Sequence, residues 1–100
     1  MGQCFELKDA FPLVEEVIQQ LCRRVGEAEH DAIVAELMKH EQASALLGLA
    51  VRRCPKQSRE WIAGNMVAWL SRYYTEGRLG DFAARFKRRK HKGSWAYSER

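Results

Sequence analysis

Apolar residues recur at steps of three and four along most of this chain, and that spacing constrains its fold more than any other feature. Val14, Ile18, Leu21 and Val25, with Val17 beside them, describe one side of a helix. Ile62, Met66, Trp69, Leu70 and Tyr73 describe another over nearly four turns. The only prolines are Pro12 and Pro55, so long stretches are free to be helical.

Stop and start signals divide the pattern. The first helix is expected at Pro12–Val25, with Pro12 tolerated in its first turn and Gly26 ending it. A second is expected at Glu29–His40, carried by the pairs Ile33/Leu37 and Val34/Met38. A third spans Ala43–Arg53 and stops before Pro55. Ser58 caps the fourth, which Gly77 ends, and a fifth is expected over Leu79–Lys90 with Asp81 as its cap. After Gly93, Trp95-Ala96-Tyr97 alternates as a short strand does. The expectation is a mainly α single domain over residues 1–100, about five helices with a short C-terminal β element. Its core should pack Ile62, Met66, Trp69 and Leu70 against Val14, Ile18 and Leu21.

Composition narrows the function classes. Hydrophobic residues are 46% and charged residues 30% of the chain, which is a globular balance. Three cysteines, Cys4, Cys22 and Cys54, are an odd number with no CxxC pair, which reads as reduced thiols in a cytoplasmic protein. The opening Met1-Gly2-Gln3-Cys4-Phe5-Glu6 fits neither a signal peptide nor a myristoylation site, and no apolar run approaches a membrane span. The expectation is a chain with no leader and no membrane partner.

The net charge of +4 hides a division. Residues 1–50 carry four basic and nine acidic side chains, whereas residues 51–100 carry thirteen basic and four acidic. The densest cluster is Arg85-Phe86-Lys87-Arg88-Arg89-Lys90-His91-Lys92, with Trp95 and Tyr97 nearby. Clustered cations bind nucleic acid by releasing condensed counterions, and aromatics beside them can stack on bases. The candidate binding residues are therefore Arg85, Lys87, Arg88, Arg89, Lys90 and Lys92, with Arg52, Arg53, Lys56 and Arg59 as a second basic patch around Pro55. The favoured partner is nucleic acid, DNA before RNA, bound mainly at its phosphates. The competing reading is an interaction module whose acidic half meets the basic half of a second copy, as a homodimer, or of another protein.

Helices two and three are close enough in sequence to form a helix-turn-helix, although the second of them, Ser44 to Arg53, is mostly apolar. The stretch Trp61–Tyr97, with Asn65-Met66-Val67-Ala68-Trp69, Phe86 and Trp95-Ala96-Tyr97, resembles small bacterial proteins of helix-turn-helix or winged-helix type. That resemblance implies DNA binding and makes Trp95–Tyr97 the second strand of a basic wing.

Catalysis is not expected. No nucleophile sits beside an orienting base, and the histidines and cysteines are too scattered to hold a metal, so no cofactor is expected either. A remote alternative is an all-helical ribonuclease of the HEPN type, in which an Arg and a His a short spacer apart move a proton at a phosphate. Arg24 with His30, and Arg85 with His91, have that spacing.

Overall fold

The computed structural model describes residues 5–100. Five helices come first, apart from a two-residue strand, and a hairpin follows: α1 (Leu7–Val25), β1 (Ala28–Glu29), α2 (His30–Lys39), α3 (Glu41–Arg53), α4 (Arg59–Thr75), α5 (Gly80–Arg85), β2 (Phe86–His91) and β3 (Ser94–Glu99). The chain is mainly α, and β3 lies between β1 and β2 in an antiparallel three-stranded sheet.

The helices follow the apolar pattern. Helix α1 starts five residues earlier than the proline suggests, because Phe5, Ala10 and Phe11 are buried and draw the preceding turn onto the core. Pro12 therefore sits inside the helix, in its second turn, where it leaves the Lys8 carbonyl without its helical donor. Gly26 closes α1 in the left-handed conformation (φ 88°), donating its N–H to the Cys22 carbonyl at 2.8 Å. Between α2 and α3 stands a single residue, His40, which ends one helix and caps the next through an Ala43 N–H at 3.3 Å. Ser58 caps α4, accepting the Trp61 N–H at 3.0 Å.

Val14, Ile18 and Leu21 of α1 are buried, as are Ile62, Met66 and Leu70 of α4, and the two helices pack together as expected. Trp69 differs. It lies at the rim, edge-on to Tyr73 at 6.2 Å with the Arg72 guanidinium 4.9 Å above its ring. Ala63 and Val67 take the buried places beside the stripe.

Three further expectations are corrected. The fifth helix ends at Arg85 and not at Lys90, and the basic run that follows is a strand. Phe82 and Phe86 stack 4.8 Å apart across the last turn of α5, where the Phe86 N–H bonds the Phe82 carbonyl, so their four-residue spacing reports that turn and no continuation beyond it. Asp81 is not the cap of α5 but lies in its first turn, after Leu79. The three cysteines are also not alike: Cys22 is a free buried thiol, whereas Cys54 is disulfide-bonded. Among the described residues no helix is long and apolar enough to cross a membrane.

Candidate nucleic-acid interface

Strand geometry decides what the basic run can do. Successive side chains of β2 point to opposite faces of the sheet. Phe86, Arg88 and Lys90 share the face turned to the helices, opposite Glu99, Tyr97 and Trp95 of β3. Lys87, Arg89 and His91 point the other way. A helix would have spread all these cations around one short cylinder, whereas the strand separates them into two sets with different neighbours.

On the outer face the acidic first half of the chain meets the basic second half. Arg89 grips Glu27 through two bonds of 2.7 Å, and His91 lies 3.3 Å from Glu29. Arg85, at the end of α5, reaches Glu15 of α1 at 3.3 Å. The guanidinium bonds hold the Glu27 carboxyl below its ordinary range, while burial pushes Glu15 up against the opposing pull of Arg85. The sequence shows few acids near the run, but these partners lie 62 and 70 residues away in the chain.

On the inner face Arg88 is a structural side chain. It donates to the Ser71 carbonyl at 2.8 Å, bonds Thr75, and lies 3.8 Å over Trp95 and 4.4 Å over Tyr74. Of the six expected phosphate ligands, Arg85, Arg88 and Arg89 are thus committed to the fold. Among the described residues Lys87, Lys90 and Lys92 meet no carboxylate, and only Lys90 has an internal partner, the Trp95 ring at 4.5 Å. All three lysines are exposed. Lys92 and Gly93 form the two-residue turn of the hairpin with positive φ of 51° and 82°.

The second patch lies elsewhere. Arg52, Arg53 and Lys56 are exposed at the α3–α4 connection, and Arg59 is spent on the Ser44 carbonyl and hydroxyl. The hairpin meets the opposite end of α4, at Ser71 and Thr75, which is about 18–24 Å further along at 1.5 Å per residue. The structure therefore does not join the two patches.

Between them runs a surface not anticipated from the sequence. Trp61, Asn65, Ala68, Arg72 and Thr75 form a stripe along α4 opposite its buried face. Two adjoining depressions share His30 and Ala68 and make one open trough along this stripe. Lys90, Gly93, Ser94 and Trp95 of the hairpin border its far end. Trp61 is 49% exposed, the one large aromatic left so open among the described residues. The signal was present in the sequence: Trp61 shares a face with Asn65, Ala68, Arg72 and Thr75, away from the stripe of Ile62, Met66 and Leu70.

Other chemistry is not assembled. Among the described residues no three His, Cys, Asp or Glu side chains gather as metal ligands do. Arg85 ends α5 and His91 ends β2, whose five steps alone span about 16 Å at 3.3 Å per residue, and each is paired to a different glutamate. Arg24 is paired with Glu36 at 2.9 Å. No protein-family model matches the chain, and no curated protein or solved structure matches it either.

Proposed function

We propose that this protein binds nucleic acid, DNA in preference to RNA, by phosphate contacts from its C-terminal hairpin and with no catalytic step. The observation that carries the reading is the set Lys87, Lys90 and Lys92: three exposed ammonium groups on one short hairpin, none of them neutralised by a carboxylate among the described residues. Arg72 adds to the same field, because Glu76 is shared between Arg72 and Arg78 and one positive charge is left over. A basic hairpin at the C-terminal end also suits the wing that the winged-helix resemblance implies. A cytoplasmic setting belongs to the proposal, and the Cys54 disulfide argues against it, since cytosolic thiols are mostly kept reduced.

Phosphate binding by three lysines has a measurable signature. Log K should fall with log salt by about 0.9 for each duplex phosphate neutralised. Replacing Lys87, Lys90 and Lys92 together by Gln should flatten that slope by up to about three units and weaken binding to all sequences alike. Far-UV circular dichroism should show the fold retained, since these side chains are exposed. No binding at low salt, or binding indifferent to the triple substitution, rejects the reading.

A further inference from the structure

The trough along α4 says which form of nucleic acid the hairpin lysines serve. A duplex is read in its major groove by a helix that stands out from the protein and enters the groove. The open face of α4 does the opposite. Its stripe lies along a depression bordered by His30 and by the hairpin tip. Gly64 and Ala68 at mid-trough carry almost no side chain, so the surface between Trp61 and Arg72 is shallow and smooth.

The two ends of the trough differ in chemistry. At one end Arg72 and Lys90 bring positive charge to the edge of the depression. At the other, Trp61 presents a half-exposed indole beside Asn65, with Glu60 bordering that end and repelling phosphate from it. An exposed aromatic face is used by unstacked bases, which duplex nucleic acid does not offer. From Trp61 to Thr75 the stripe is about 21 Å long, room for a short extended segment.

We infer that this trough binds single-stranded nucleic acid, with an unstacked base on Trp61 and the backbone phosphates held by Arg72 and Lys90. The inference rests on the nucleic-acid reading and adds the strandedness of the ligand and the stacking residue. Asn65 lies one turn from Trp61 and offers an amide to the edge of the stacked base.

Fluorescence anisotropy with labelled oligo-dT, oligo-rU and a mixed-sequence hairpin duplex, at one low salt concentration, tests it. Both single strands should bind and the duplex should bind about tenfold more weakly or worse, and the ratio between the two single strands reports the preference for DNA or RNA. Trp61→Ala should lower single-strand affinity by about 5- to 150-fold, the range that base–aromatic stacking gives, and leave the salt slope unchanged because no charge is lost. Trp61→Phe should retain most of the affinity. A duplex bound as tightly as the single strands overturns the inference and leaves nucleic-acid binding standing. So does single-strand affinity that Trp61→Ala does not alter. Failure of all three probes to bind overturns both.

Discussion

Glu27 and Glu15 are both glutamates paired with an arginine from the basic half of the chain, yet their carboxyls move in opposite directions. Glu27 accepts two guanidinium bonds from Arg89 in an exposed position, and that pairing lowers its pKa. Glu15 is raised, chiefly by its burial, which outweighs the opposing pull of Arg85. The linkage to stability follows from the signs. Glu27, lowered on folding, contributes stability above the unfolded value of about 4.3 and loses it as pH falls through its folded value. Glu15, raised on folding, contributes below that unfolded value and loses its contribution as pH rises through the folded one. An NMR titration of the side-chain carboxyls should place Glu27 below and Glu15 above the ordinary glutamate midpoint. Arg89→Ala should return Glu27 to the ordinary range and leave Glu15 where it was; a Glu27 midpoint indifferent to Arg89 would show that the pair does not persist in solution.

The hairpin shows what an element asks of its sequence and how much of that can be read in advance. The four long helices were legible because their apolar spacing and stops agree: Ser58 before α4, Gly26 after α1, and buried faces that match the three- and four-residue steps. Trp95 to Tyr97 was legible as a strand by its alternation. Strand β2 was not, because Phe82 and Phe86 satisfy helical spacing and a run of cations has no hydrophobic period to reveal alternation. The turn signal was equally faint, since Lys92-Gly93 replaces the Asn-Gly pair that favours two successive positive φ values. The same weakness makes a test. Gly93→Ala meets no atom within 4 Å, so its cost should be conformational alone, about 1–2 kcal/mol for a side chain held left-handed. Lys92→Asn should instead stabilise the fold, by a few tenths of a kcal/mol or about that order. On the proposed nucleic-acid reading it should also remove one phosphate contact, lowering the salt slope of binding by about one unit. Denaturant melts and binding isotherms of the two variants should therefore move apart, and a destabilised Lys92→Asn would contradict the turn described here.

Across the whole molecule the division of charge turns inward. The halves that differ so strongly in sequence fold against each other, with Arg85, Arg89 and His91 set on Glu15, Glu27 and Glu29, so two of the six permanent cations of the run are paired with carboxylates inside the fold. Those pairs are half-exposed and each contributes little beside a buried aromatic side chain. Tyr97 is that side chain. It is fully buried, packs edge-on against Phe82 and Tyr74, and shares a short hydroxyl bond of 2.5 Å with Ser71 of α4. Its carbonyl accepts the Cys22 thiol of α1, and β3 pairs with β1 between α1 and α2. The hairpin is thus built into the helical core and anchored there through one aromatic side chain. Tyr97→Ala should cost about 3–5 kcal/mol, a large share of the ~5–15 kcal/mol that holds a domain of this size together. The loss should appear as a single event. Tryptophan fluorescence, which reports Trp95 on the hairpin and Trp61 and Trp69 on α4, and helical circular dichroism at 222 nm should shift to lower denaturant together. A fluorescence transition that precedes the loss of helix would mean that the hairpin unfolds on its own, and the lysines at its tip would then be presented by a mobile arm instead of a fixed edge of the trough.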